Sequence, residues 1–216
     1  MKNLPRIILI CFSIVLISGC QSAYYSTMES LGQHKRDILV DRVENAQDSQ
    51  QDAQEQFKSA LEQLSALIEF DGGDLQTQYE ATLAQYEASE AAAGEVTGRI
   101  ESIENVADAL FDEWSEEIEQ YSSAKLKRQS QSKLSDTQRK YQKLIKAMHR
   151  AESKMAPVLS ALKDNTLYLK HNLNAKAIGA LEGEFHDIKS DVNSLIKEMS
   201  NAISESQSFI ASLKSE

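Results

Sequence analysis

Apolar residues recur at alternating steps of four and three along most of this chain, with very few prolines or glycines between them. Such spacing places side chains along one face of an α-helix and is typical of helices that pack side by side. Beyond residue 20 the only proline is Pro157, whereas a β-rich chain would need turn residues about every 8 to 12 positions. The sequence therefore predicts an all-α fold of long helices.

Four such seams follow one another, and the first and fourth are the most regular. The first seam is Leu39, Val43, Ala46, Gln50, Ala53, Phe57, Ala60, Leu64 and Leu67. The second is Tyr79, Thr82, Tyr86, Ser89, Ala93, Val96, Ile100, Ile103, Ala107, Leu110, Trp114, Glu117 and Tyr121. The third is Leu134, Thr137, Tyr141, Leu144, Met148, Ala151, Met155, Val158, Leu162, Asn165, Leu169 and Asn172. The fourth is Ile178, Leu181, Phe185, Ile188, Val192, Leu195, Met199, Ala202, Ser206, Phe209 and Leu213.

Turn and capping residues separate the seams. Asp71-Gly72-Gly73-Asp74 offers a left-handed glycine and an aspartate cap, and Asn172-Leu173-Asn174 offers a break and another cap. Residues 122–135 are rich in serine, glutamine and lysine and are interpreted as a connection. Pro157 predicts a kink or a restart of the third helix. The helices are expected at about 24–70, 74–122, 134–171 and 175–214, within a single domain of residues 20–216.

Short connections between long helices favour an elongated antiparallel bundle, or coiled coil, of about four helices with up-down-up-down order. A helix over residues 24–70 would be about 70 Å long, so the domain is expected to be a rod. The seams alone leave open a coiled coil of fewer, longer helices or a bundle completed by self-association.

The first residues have the layout of a signal peptide. Lys2 and Arg6 precede an apolar run that ends in Ile17-Ser18-Gly19-Cys20. The run is too short to span a bilayer core of about 30 Å. The four residues before and at the cysteine resemble the lipobox of bacterial lipoproteins. That resemblance implies removal of residues 1–19, acylation of Cys20 and, with Gln21 next, an anchor at the periplasmic face of the outer membrane.

Composition narrows the function classes. Cys11 lies within the predicted signal peptide, so Cys20 is the single cysteine expected in the mature chain, which excludes a disulfide or thiolate metal site there. Removing Lys2 and Arg6 from the 23 basic residues leaves 21 against 33 acidic residues, a net charge of −12. Such a chain is a poor candidate for nucleic-acid binding.

Three stretches are similar to the signature of an uncharacterised bacterial lipoprotein family of gammaproteobacterial type, catalogued as a domain of unknown function. They are His34-Lys35-Arg36-Asp37-Ile38-Leu39-Val40-Asp41-Arg42-Val43, Asp71-Gly72-Gly73-Asp74-Leu75 and Leu169-Lys170-His171-Asn172-Leu173-Asn174-Ala175. The resemblance covers essentially the whole mature chain. It implies a helical, coiled-coil lipoprotein and brings no activity with it.

No motif in the sequence predicts catalysis, a cofactor or a metal. The histidines His34, His149, His171 and His186 lack close ligand spacing. There is no nucleophile-elbow serine and no phosphate-binding glycine loop. The Asp71–Asp74 turn lacks the run of oxygen ligands that a calcium loop needs. We therefore expect that the chain is not an enzyme.

Charge is divided between consecutive helices. Residues 74–121 contain thirteen acidic residues and one basic residue, and residues 125–154 contain ten basic and two acidic residues. Mutual attraction of the two helices is the first interpretation. The second is a basic stripe of Arg139, Lys143, Lys146 and Arg150 that binds anionic lipid, cell-wall polymer or an acidic partner. The cluster of Lys125, Lys127, Arg128 and Lys133 is expected at the membrane end.

The far end of the rod is the other candidate site. In an up-down-up-down bundle, Asp71 and Asp74 should meet Lys170, His171, Asn172, Asn174 and Lys176. They would form either a polar contact surface or a set of caps and salt bridges that only holds the two turns.

These observations predict a lipid-anchored rod in the periplasm that acts as a structural or protein-interaction element of the cell envelope. Its expected partners are membrane lipid, through acylated Cys20, and an envelope protein. The alternative is an accessory or regulatory subunit that binds anionic membrane or envelope polymer through the basic stripe.

Overall fold

The computed structural model describes residues 34–70 and 72–215. Four helices follow in chain order: α1 (Lys35–Ile68), α2 (Leu75–Glu119), α3 (Ala124–His171) and α4 (Ala175–Lys214). No strand occurs within the two described ranges. The 48 residues of α3 correspond to about 70 Å of helix. The predicted all-α fold of four long helices is confirmed.

Each helix packs against its two neighbours in a closed ring, because α1 contacts α2 and α4, and α3 contacts α2 and α4. The bundle is therefore antiparallel with up-down-up-down order, and one chain closes its own core. The end that holds the α1–α2 and α3–α4 turns is called the tip here. The opposite end, with the α2–α3 turn, the start of α1 and the end of α4, is called the base.

The heptad seams form the core. Every residue of the first predicted seam is buried, including Gln50 at 0 % exposure. The third seam is buried from Leu134 to Leu169. The second seam is wrong at its end, since Glu117 and Tyr121 are exposed and Phe111 and Ile118 are buried instead. The core runs the length of the ring and needs no other layer.

Local chemistry explains where the helices begin and end. Asp74 caps α2, with its Oδ1 accepting from the Gln76 amide at 3.0 Å, and Asn174 caps α4 in the same way through Lys176. Gly73 has a φ of +131°, and a Cβ there would lie 2.9 Å from Cζ of Phe70. A glycine is required at this turn because an L side chain would meet both the unfavourable φ and the phenyl ring.

The third helix begins earlier than the sequence predicted. It starts at Ala124, so the polar stretch over residues 122–135 is mostly helix. The Ser123 hydroxyl accepts from the Leu126 amide at 3.4 Å, and lysine, arginine and glutamine are good helix formers. The apolar content falls there because α4 no longer lies alongside. Lys143 faces Glu205, and nine residues further toward the base on each antiparallel helix Leu134 lies opposite Lys214, the last residue of α4.

The extra turns of α3 form what is called here the overhang, residues 124–133. It packs against the end of α2, where the Trp114 indole N–H donates to the Ser130 hydroxyl at 2.8 Å. Pro157 lies inside α3, which continues through it without a break. Of the two predicted alternatives, the restart of the third helix is therefore wrong, and the kink stays a prediction.

Candidate functional site

Two of the predicted site residues, Cys20 and Asp71, lie outside the described residues. Of the other tip residues, Asp74 and Asn174 are N-caps, Asn172 is the C-cap of α3, and Lys170 and His171 occupy the last turn of that helix. All five lie at the tip. The predicted convergence of the two turns at one end of the bundle therefore follows from the helix order.

The two tip turns are each held by their own residues. Both carboxylate oxygens of Asp74 accept locally, from the Gln76 amide at 3.0 Å and the Thr77 hydroxyl at 2.9 Å. These bonds, the Thr77 bond first, lower the pKa of Asp74. The Asn172 amide donates to the Tyr168 carbonyl at 2.9 Å. Among the described tip residues no ion pair joins Asp74 to Lys170 or His171, so Asp74 stabilises its own turn.

Two of the four residues of the basic stripe pair with acidic residues of α4. Lys143 lies 2.9 Å from Glu205, and Arg150 lies 3.5 Å from Glu198. Arg139 pairs with Asp136 on its own helix. The acidic residues of α4 therefore neutralise much of the stripe, which weakens it as a surface for an external anion.

The expected attraction between α2 and α3 rests on two contacts. Lys127 lies 2.8 Å from Glu119 near the α2–α3 turn, and His149 lies 3.0 Å from Glu104 in the middle of the pair. The second nitrogen of His149 lies 2.8 Å from Glu152, and the bonds to Glu152 and Glu104 raise the pKa of His149.

Neighbouring carboxylates along α2 repel one another, as Asp108 does with Asp112 and Glu104. The pKa of Asp108 is raised, first by burial and then by the neighbouring charges of Asp112 and Glu104. Tyr141 of α3 lies beneath them, packed edge-on against Phe111 at 5.4 Å. Burial is the main cause of its raised pKa. The face is acidic but has no arrangement typical of catalysis.

Neither a metal centre nor a membrane span is found in the parts of the chain that the structure describes. No group of three or more histidine, cysteine, aspartate or glutamate side chains there could hold a metal ion. None of the described helices combines the length and the apolar character needed to cross a bilayer.

A groove between α3 and α4 near the tip is the feature that sequence reasoning missed. It has a volume of about 470 Å³, and its α3 wall carries Asp164, Asn165 and Tyr168. Leu181 and Glu184 lie on the α4 wall. Asn165 is only 6 % exposed, and its Oδ1 accepts no hydrogen bond from any described residue. The sequence signal that could have indicated the groove is Asn165, a polar residue within the mostly apolar third seam.

Large exposed apolar side chains also gather at the two ends of the bundle. At the tip, Leu167, Tyr168 and Leu173 are 48 %, 41 % and 39 % exposed. At the base, Tyr121 and Leu126 are 44 % and 50 % exposed. The described middle of the rod presents no comparable patch, so the ends are the candidate contact regions.

One family model matches residues 24–213, which cover the four helices except for Lys214 at the end of α4, and its description is protein of unknown function (DUF2959). The chain belongs to this family. The resemblance drawn from the three short stretches to an uncharacterised family is thereby confirmed. The family assigns no activity to the groove, the tip or the base. Neither the curated proteins nor the solved structures contain a significant match.

Proposed function

We propose that this protein is a lipid-anchored rod of the bacterial cell envelope that holds a protein-contact surface away from a membrane. The observation that carries the proposal is the direction of the bundle. The chain enters α1 at the base, downstream of the lipobox-like Ile17-Ser18-Gly19-Cys20, and the groove and tip turns lie at the far end.

The anchor supplies the attachment in this proposal. One acyl chain holds a protein only marginally, whereas two or more hold it firmly, at about 0.8 kcal/mol per buried CH₂. Two or more acyl chains on Cys20, palmitate among them, would therefore hold the base end of the chain at the bilayer. With Gln21 after the cysteine, the outer membrane is the proposed location, on its periplasmic face.

The length of the helices sets the distance between the bilayer and the tip in this proposal. A closed core along α2 and α3 makes bending costly, because buried apolar side chains would lose contacts. The tip would then stand about 70 Å from the bilayer. We assign the protein a structural or interaction role without catalysis, on the strength of its long solvent-exposed rod and its apolar ends.

Labelling and fractionation test the anchor. Wild-type protein in cells fed an alkyne fatty acid should incorporate the label and fractionate with outer membranes, whereas Cys20→Ala should do neither. Ser18→Ala is the matched control because it changes a neighbouring small residue and leaves the thiol. A Cys20→Ala protein with wild-type processing, labelling and membrane fractionation would overturn the proposal.

A second candidate function is binding of anionic lipid at the base. The overhang combines exposed Leu126 with Lys125, Lys127, Arg128 and Lys133. Lys127 already pairs with Glu119, which leaves the other three cations as the main determinants. An apolar side chain among cations is typical of helices that bind membrane surfaces.

Vesicle sedimentation tests this second function. The mature chain without acyl groups, residues 20–216 carrying Cys20→Ala, should sediment with phosphatidylglycerol vesicles more than with phosphatidylcholine vesicles. Lys125→Gln with Arg128→Gln should reduce this, and Lys163→Gln with Lys170→Gln, which remove the same charge near the tip, should not. Equal losses in both variants would mean that only net charge matters and would refute a site at the overhang.

A further inference from the structure

The acidic residues on α4 form a ladder along its seam with α3. Glu184, Asp191, Glu198 and Glu205 are spaced by seven, which places them on one face of the helix. The positions that face them on α3 follow from the pairs Lys143–Glu205 and Arg150–Glu198. Continuing this register toward the tip brings Pro157 opposite Asp191 and Asp164 opposite Glu184.

The ladder is therefore paired with cations at its base half, whereas its tip half has no ion pair among the described residues. Lys143 and Arg150 neutralise Glu205 and Glu198. Asp164, Glu184 and Asp191 make no ion pair within the described parts of the chain. Two of these three carboxylates, Asp164 and Glu184, line the groove.

The interior of the groove combines apolar surface with an unused acceptor. Leu181 and Ile188 are each 3 % exposed and form part of its lining with Ala161 and Ala180. The Asn165 amide nitrogen donates to the Ala161 carbonyl at 2.7 Å, but its Oδ1 has no donor among the described residues. An unpaired buried acceptor costs free energy that a donor from a ligand would recover.

We infer that this groove, called here the α3–α4 tip groove, binds an amphipathic helix of a protein partner that carries lysine or arginine beside its apolar face. The cations would complete the ladder at Asp164, Glu184 and Asp191. Apolar side chains would pack on Ala161, Ala180 and Tyr168, which are the accessible apolar residues of the lining, and a polar donor would reach Asn165. This inference rests on the proposed function in treating the tip as a contact surface.

The geometry favours a helix over a small cation. Acidic residues seven positions apart on α4 match the repeat of side chains on a helix that lies alongside it. The groove is open along the two helices, with Tyr168 exposed at its edge. A second copy of the chain is a poorer occupant, because the four clustered cations of its overhang, beside exposed Leu126, lie at the base, at the level of the bilayer in the proposed function.

Binding of a defined probe tests the inference. The probe is a fluorescent leucine/lysine helix of about 18 residues, long enough to hold its structure, with lysines at heptad spacing. Its counterpart has glutamate in place of lysine. The full-length chain in phosphatidylcholine nanodiscs is titrated and anisotropy is measured, with empty nanodiscs as the blank. We expect saturable binding of the lysine helix and none of the glutamate helix.

Variants in the groove, each matched with a control elsewhere on the bundle, test whether the probe binds at the groove. Asp164→Asn with Glu184→Gln should weaken binding about tenfold, while Glu101→Gln with Asp112→Asn, the same charge change on exposed α2 positions, should alter it less than about twofold. Ala180→Trp should block the groove, and Ser208→Trp, on the exposed face of α4, should not. Circular dichroism checks that all four remain helical.

Several results would overturn the inference. They are no binding by wild type, equal losses in the two charge variants, or wild-type affinity in Ala180→Trp. Sedimentation of the chain alone gives another: a dimer that Ala180→Trp dissociates would make a second copy the occupant. Because anisotropy reports on the groove and fatty-acid labelling reports on Cys20, a failed groove and a failed anchor are distinguishable.

Discussion

Nε2 of His149 on α3 lies 3.0 Å from Oε1 of Glu104 on α2. This contact joins the basic helix to the acidic helix in the middle of the rod, and Glu152 holds the other ring nitrogen. The two carboxylates raise the pKa of His149, so the interaction makes the bundle sensitive to pH.

Stability should fall with rising pH through this histidine. Since its folded pKa lies above the unfolded value of about 6.5, its contribution is fully present below that pH and is lost as pH rises through the folded pKa. The difference in unfolding free energy between wild type and His149→Gln should therefore be larger at about pH 5.5 than at about pH 8.5, measured by urea denaturation. His186→Gln, at an exposed site on α4, is the control, and an equal pH effect in both variants would contradict the assignment.

Gln50 offers a gain in stability. Its side chain is fully buried, and neither its Oε1 nor its Nε2 has a partner among the described residues. Gln50→Leu should raise the unfolding free energy by about 1–3 kcal/mol, because it removes two unpaired polar atoms at similar volume. Thr137→Val is the comparison, since the Thr137 hydroxyl already donates to the Lys133 carbonyl. If Gln50→Leu instead changes the oligomeric state, the glutamine selects the register of the bundle.

The glycine pair at the tip should respond unequally to alanine. Gly73→Ala should lower the unfolding free energy by about 1–2 kcal/mol because of the positive φ, and the contact with Phe70 adds to the loss. A Cβ at Gly72 meets nothing within 4 Å, so Gly72→Ala should be nearly neutral. Thermal unfolding of the two variants side by side measures the difference, and equal losses would show that the turn does not depend on Gly73.

A cation placed in the incomplete half of the ladder should mimic the proposed partner. Asp164→Lys would face Glu184 as Arg150 faces Glu198 and should stabilise the domain by about 0.2–1 kcal/mol at low salt. The gain should shrink as salt is added, and the lysine helix should no longer bind. Asp164→Asn, which removes a charge without adding one, separates relief of repulsion from the new pair. An unchanged affinity for the probe in Asp164→Lys would argue against the tip groove.

Sequence periodicity was sufficient for most of the fold. The first seam is buried at every position, and the fourth helix lies over the predicted residues 175–214. Both results follow from local rules, since heptad spacing decides which face of a helix is buried and Asn174 supplies the cap. The start of α3 was missed because its seam fades where α4 ends, although the backbone stays helical.

The candidate site depended on more than periodicity. Asp74 and Lys170 are predicted to lie at one end, and they do, but each turn is stabilised by its own hydrogen bonds. The groove could not be predicted from one seam, because its walls belong to two helices. Asp164 and Glu184 are seen to share it only when the register of α3 and α4 is known. Asn165 and Glu184 become a candidate site only when they are considered together, because a buried hydrogen-bond acceptor and a carboxylate line the same groove.

The amino-acid sequence by itself determined that there are four long helices, most of their seams, and the caps Asp74 and Asn174, because these depend on spacing and on side chains close along the chain. The tertiary structure decided which charges meet. Lys143 and Arg150 find acidic partners on α4 only because the antiparallel register brings Glu205 and Glu198 beside them. The same register brings Asp164 beside Glu184, at the groove where Oδ1 of Asn165 has no hydrogen-bond donor among the described residues.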